Sequence, residues 1–154
     1  MMDVNGEMLR ITKELNEAKI DYALCGGLAV AVHGYPRATK DVDLMVHAED
    51  LARIRTLMKQ LDYRVEGGFQ TFRAGTPEES KLWRISRATN DELWTVDFIV
   101  VADFFRDVWK DRIAIEFRGQ QIRVVSADGL RKMKEFSGRP QDLADLEKLN
   151  NHDV

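Results

Sequence analysis

Cysteine is nearly absent from this 154-residue sequence: Cys25 stands alone, so no internal disulfide and no thiolate zinc cluster can form. Its place at the end of an apolar run suits a buried, inert thiol better than a nucleophile. Histidine is almost as scarce. His33, His47 and His152 lack metal-ligand spacing and read first as packing or surface residues. Long apolar runs are missing too: Tyr22 to Tyr35 carries no Asp, Glu, Lys or Arg, but it is too short to cross a bilayer and is broken by Gly26, Gly27, His33 and Gly34. The first residues lack the basic start and apolar stretch of a secretory signal, so a cytoplasmic protein without a membrane partner is expected. No Pro-rich, Ser-rich or repeated segment suggests disorder or a linker. A net charge of −3 argues against a surface that is basic throughout, while leaving room for a local basic patch.

What is present is an ordinary globular composition, 44% hydrophobic and 32% charged, on a chain long enough for one domain with a real core. Residues 1–154 are therefore expected to form a single domain, with closing helices over 126–150 packed on it. Met8, Ile11, Leu15 and Ala18 recur at helical spacing and predict an opening helix. Asp21 to Cys25 reads as a buried strand, Gly26-Gly27 as a turn, and Leu28 to Val32 as a helix stopped by Gly34 and Pro36. Val42 to His47 is a second strand. Leu51, Ile54, Leu57, Met58 and Leu61 mark the helix after it. From Tyr63 to Val101 the period becomes strand-like, in segments 69–72, 82–85 and 94–101, with loops expected at Gly67-Gly68, 75–77 and 88–91. A hairpin around Gly119 and two helices follow, the first capped by Ser126. The order predicts an α/β (α+β) fold with a mixed sheet flanked by helices.

The chemistry concentrates at three aspartates. Asp41 and Asp43 start a strand, where alternate residues point the same way, so both carboxylates can converge on one cation while Val42 and Leu44 face the core. Side by side they repel, and a hard cation such as Mg²⁺ (or Mn²⁺) relieves that repulsion. Asp97 lies in an otherwise apolar strand and needs a partner, which the same site can supply. Gly26-Gly27 would let a backbone approach phosphate oxygens at a helix start. Arg37 and Lys40 stand just before Asp41, and Lys134 and Arg139 lie in the closing helices, where they can meet further phosphate charge. Each feature alone also fits a plainer role: D-x-D as a solvated strand end, Gly-Gly as a turn, Arg37 and Lys40 as loop charges, and Asp142 with Asp145 as a wet helix face beside Arg139. Their combination favours the functional reading.

Taken together, Gly26-Gly27, then Asp41-Val42-Asp43-Leu44, then Val96-Asp97-Phe98 resemble the signature of the DNA polymerase β-like nucleotidyltransferases. The segments 25–30 and 33–44, and the ending from Lys134 to Asp145, are similar to the small bacterial AbiEii toxin-like group. This resemblance implies a nucleotidyltransferase fold and transfer of a nucleoside monophosphate from a nucleoside triphosphate, ATP among the candidates, to an acceptor hydroxyl. It implies that Asp41, Asp43 and Asp97 are catalytic and metal-holding, that Gly26, Gly27 and Lys134 bind the nucleotide, with Arg37 and Lys40 joining them by their place before Asp41, and it makes an antitoxin protein a candidate partner. An RNA or protein acceptor is expected, on the added ground that Lys81, Arg84, Arg87, Arg118, Arg123, Arg131, Lys132 and Lys134 would form a local basic surface if their elements meet around the cleft. The alternatives are a catalytically silent nucleotide-binding or regulatory module and an enzyme that modifies a small molecule such as an antibiotic.

Overall fold

The computed structural model describes residues 3–35 and 38–151. Arg37 and His152, named above, lie outside the described residues. The chain opens with α1 (Val4–Glu17), whose first turn is capped by the Asp3 carboxylate accepting from the Gly6 amide. Its Met8, Ile11 and Leu15 stripe is fully buried. Then come β1 (Ala23–Cys25), α2 (Gly26–Val32), β2 (Asp41–Val46), α3 (Leu51–Gln60), β3 (Val65–Phe72), β4 (Ser80–Ala88), β5 (Leu93–Val100), α4 (Arg106–Lys110), β6 (Ile113–Phe117), β7 (Gln120–Val124), α5 (Ala127–Ser137) and α6 (Pro140–Asn151). Ser126 caps α5 as expected, its hydroxyl accepting from the Gly129 amide.

Seven strands form one mixed sheet in the order β3-β4-β5-β2-β1-β7-β6. β2 runs parallel to β5 and antiparallel to β1, and β1 runs parallel to β7. The pleat then sorts the side chains. Val42, Leu44, Val96, Phe98, Trp83 and Ile85 are buried on one face, the side where Arg55 of α3 lies over the Trp83 ring and Arg87 reaches Glu7 of α1. Asp41, Asp43, Asp97, Leu82 and Arg84 alternate with them and line a cavity on the opposite face. That face is shared with α2, α5 and α6, which contribute Gly27, Lys134 and Gln141 to the same cavity.

The sequence reading of a loop at Gly67-Gly68 is corrected here. Both glycines sit inside β3, where the pairing with β4 slips by one residue between Glu66 and Gly68. A bulge, in which Gly68 takes φ +79°, lets the strand continue through residues that would otherwise end it. A second correction concerns α2, which begins at Gly26 rather than Leu28, immediately after the last residue of β1.

Candidate active site

Sheet register places the three aspartates together. Asp43 is the direct partner of Asp97 across the β2–β5 ladder, and Asp41 lies one pleat earlier on the same face. Extending that level across the sheet gives a row through five strands: Cys25, Asp43, Asp97, Arg84 and Gly68. Asp97 is 5% exposed, and its partner is Arg84: Nε donates to Oδ1 at 2.7 Å and Nη2 to Oδ2 at 2.9 Å. Such a fork is the strongest pairing a carboxylate finds among side chains. Reading Arg84 as part of an acceptor-binding surface missed this. Strict alternation with Trp83 and Ile85 along β4 was the signal that could have placed it opposite the core and beside Asp97.

Gly26 explains how Asp43 fits. Its φ is +68°, and a Cβ there would stand 2.0 Å from Asp43 Oδ2. The second glycine, Gly27, lines the cavity. The residue that must be glycine on steric grounds is therefore Gly26, since a side chain there would collide with the carboxylate.

The electrostatics follow from crowding. Burial first, then the charges of Asp97 and Asp41, push the Asp43 carboxyl up to about 7. Burial and Asp97 raise Asp41 as well, against the opposing pull of Arg84 and Lys40. Burial and the neighbouring Asp43 lift the Cys25 thiol well above its ordinary range. That agrees with an inert, fully buried cysteine, whose Sγ lies 3.5 Å from the Asp43 carbonyl oxygen. His33 Nε2 lies 2.8 Å from the Val125 carbonyl oxygen, and His47 packs on Trp109.

The cavity has a volume of about 710 Å³. Gln70, Phe72, Ser80 and Leu82 wall it from the β3–β4 hairpin, and Met133 and Phe136 wall it from α5. Arg73, at the end of β3, closes across it: Nη2 donates to the Phe136 carbonyl oxygen at 3.0 Å, and the guanidinium lies 4.2 Å from the Phe136 ring centre. Lys134 also lines the cavity, yet it is buried and its Nζ lies 3.0 Å from Asp142 and 3.1 Å from Asp145. Asp142 and Asp145 are 1% and 0% exposed, which overturns their reading as a wet helix face. Burial raises the Asp142 carboxyl, but hydrogen bonds from Arg139 and Lys134 outweigh it and leave that group below its ordinary range. Lys40 is exposed and lies outside the cavity lining.

The basic residues expected to form one surface do not. Lys81 and Arg87 point away from Arg84 on β4, and Arg87 packs between Tyr63 and Trp94 while reaching Glu7. Arg118 pairs with Asp3, Arg131 with Asp128, and Lys132 with Asp107. Of the eight, Arg84 and Lys134 line the cavity, and each is matched by aspartate.

Residues 2–130 match the family described as uncharacterised nucleotidyltransferase. The chain belongs to that family. Its fold is a nucleotidyltransferase fold, similar to three solved structures. The lincomycin-bound lincosamide antibiotic adenylyltransferase LnuA has a TM-score of 0.65 at 15% identity, over 94% of this chain and 95% of that one. The solution structure of the antibiotic-resistance factor ANT(2'')-Ia has a TM-score of 0.67 at 14% identity, over 99% and 86%. An antigenic nucleotidyltransferase-like protein from Paracoccidioides brasiliensis has a TM-score of 0.56 at 21% identity, over 94% and 73%. At these identities the likeness is one of fold. No curated protein sequence matches the chain. No helix among the described residues is long and apolar enough to cross a membrane.

For a nucleotidyltransferase family member the donor set suits a hard divalent cation. The side chains at hand are carboxylates, and the high pKa of Asp43 marks a group short of positive charge. Among the described residues no three such side chains are gathered closely enough to hold a cation as they stand. Asp97 has both oxygens on Arg84, while Asp41 and Asp43 face the cavity together.

Proposed function

We propose that this chain transfers a nucleoside monophosphate from a nucleoside triphosphate to the hydroxyl of a small acceptor molecule, with pyrophosphate as the leaving group and Mg²⁺ or Mn²⁺ held by Asp41, Asp43 and Asp97. The observation that carries this reading is the convergence of three aspartates on the wall of one cavity, with Gly26 kept free of a side chain where Asp43 lies. A bound divalent cation would neutralise phosphate charge and polarise the reacting oxygens.

The chain's own residues do the rest. Asp41 and Asp43, two residues apart on β2, set the level in the cavity at which the α-phosphate must lie. Gly27 lines the same cavity, and its lack of a side chain allows close approach by phosphate oxygens. Asp97 is assigned to take the proton of the acceptor hydroxyl, since it is the buried carboxylate on the neighbouring strand. Lys134, expected to face phosphate, is assigned instead to holding α5 against α6 through Asp142 and Asp145. The more exposed Arg139, also at the cavity, is the closing-helix cation placed to turn toward phosphate. A small acceptor is favoured because the cavity volume falls in the range of about 300–1,000 Å³ typical of small-molecule sites, and because the basic residues that would grip a nucleic acid are dispersed.

The experiment is a nucleotide-binding titration with and without Mg²⁺ on the parent and on Asp43→Ala. The parent binds nucleotide in a metal-dependent way, and the variant folds but loses that dependence. A folded Asp43→Ala protein that binds nucleotide and Mg²⁺ as tightly as the parent rules the assignment out.

A further inference from the structure

The third aspartate carries more than its place in the cavity. Arg84 stands directly across the β4–β5 ladder from Asp97 and holds both its oxygens. Arg84 lines the cavity with its side chain 40% exposed, while that of Asp97 is 7% exposed. The guanidinium thus lies between a buried carboxylate and open space, with Asp41 and Asp43 adding to its stabilisation.

The neighbouring strand is shaped around this arginine. The β3 bulge falls at its level, with Gly68 paired to Arg84 and Gly67 as the extra residue. A Cβ on Gly67 would lie 2.7 Å from Arg84 Cγ and 2.9 Å from Arg84 Cβ. Those atoms are the stem of the side chain, so they cannot swing aside without carrying the guanidinium off Asp97. Two consecutive glycines inside a strand are costly in backbone entropy, and the position of Arg84 gives at least Gly67 a reason.

We propose that Arg84 is a positioning residue that competes with a divalent cation for Asp97: its fork holds the carboxylate in place until the cation takes it, and the released guanidinium then turns into the cavity toward the phosphates. The inference rests on the metal-dependent reading above. Negative charge is in excess at the site, and each stage offsets part of it. With the fork closed, one guanidinium faces three carboxylates; with it open, the cation matches the carboxylates and anionic phosphate oxygens accept the guanidinium N–H groups. Metal binding and triphosphate binding would thereby favour one another, each supplying what the other displaces.

The test is Mn²⁺ affinity, read from the signal of free Mn²⁺ at fixed pH without nucleotide, in the parent and in Arg84→Gln, Arg84→Lys and Gly67→Ala. Removing the competitor in Arg84→Gln tightens Mn²⁺ binding about tenfold, the scale of one charge-assisted hydrogen-bonded pair. Arg84→Lys keeps the charge but loses the fork, and Gly67→Ala keeps the arginine but displaces it. Both bind Mn²⁺ about threefold tighter than the parent. In an Asp97→Asn background, substitution at Arg84 changes Mn²⁺ affinity little, because the contested carboxylate is gone. Thermal unfolding in chelator reports folding independently: Arg84→Gln melts below the parent, and Mn²⁺ raises its Tm by more than it raises that of the parent. If only Arg84→Gln tightens binding, the effect is simple charge removal and the latch is overturned. Unchanged or weaker binding in all three variants overturns it as well. A parent that binds no Mn²⁺, with or without nucleoside triphosphate, defeats the metal-dependent reading and this inference together.

Discussion

At the residue scale the site is governed by carboxylates short of positive charge. Asp43 has its pKa raised from an ordinary 3.8 to about 7 by burial and by Asp97 and Asp41, so the folded chain holds a proton that the unfolded chain gives up. Stability contributed by the protonated group is fully present below about pH 4 and is lost as pH rises through about 7. Urea unfolding in chelator should therefore show a decline in stability over that window. Asp43→Asn, neutral at every pH, should flatten the decline and be more stable than the parent at pH 8; an unaltered profile would mean that Asp43 is ionised throughout. Gly26 supplies the steric counterpart. Gly26→Ala places a methyl group 2.0 Å from Asp43 Oδ2 at φ +68°, and should cost about 1–3 kcal/mol from backbone strain alone. It should abolish metal-dependent nucleotide binding in whatever fraction remains folded, measured by denaturation and titration on the same sample. Undiminished affinity would show that Asp43 can move aside.

At the element scale, much of the architecture was legible because its signals are local. The α1 and α3 stripes, the β2 and β5 strands, the hairpin at Gly119 and the Ser126 cap follow from period, turn residues and capping chemistry within a few positions. Two of the misreadings share a cause, which is a partner on another element. Gly67-Gly68 looked like a loop because the need for a gap there comes from Arg84 on another strand. Asp142 and Asp145 looked solvated because the cation that permits their burial, Lys134, belongs to α5. That buried cluster makes its own prediction. Lys134→Met leaves two nearly inaccessible carboxylates without their ammonium, and should destabilise the chain by about 3–5 kcal/mol. Adding Asp142→Asn and Asp145→Asn to Lys134→Met should recover much of the loss, because the buried charges go with their partner. A Lys134→Met protein as stable as the parent would show that α6 does not depend on this ion pair.

At the scale of the whole molecule, sheet order decides what sequence counting could not. The aspartates converge because β5 returns beside β2 after the β3–β4 hairpin, and the same topology disperses the basic residues. Alternation on β4 sends Arg84 to the cavity and Lys81 and Arg87 to the other face. Arg118 sits at the far edge hairpin against Asp3, and Lys132 pairs with Asp107 of α4. A phosphate backbone gripped by several cations releases counterions, so its binding falls steeply with salt; an acceptor held inside a cavity of about 710 Å³ has few such contacts to lose. The expected outcome follows from that contrast. With labelled nucleoside triphosphates and Mg²⁺, the protein should label a small hydroxylated acceptor from a panel that includes aminoglycosides and lincosamides. Raising salt from 50 to about 200 mM should change the yield by less than about threefold, against the losses of about 10³–10⁵ that six to ten phosphate contacts produce. Total RNA and total protein, offered in parallel, should remain unlabelled. RNA labelling that collapses with salt would place the acceptor on a polyanion, and would require a gripping surface other than these dispersed cations.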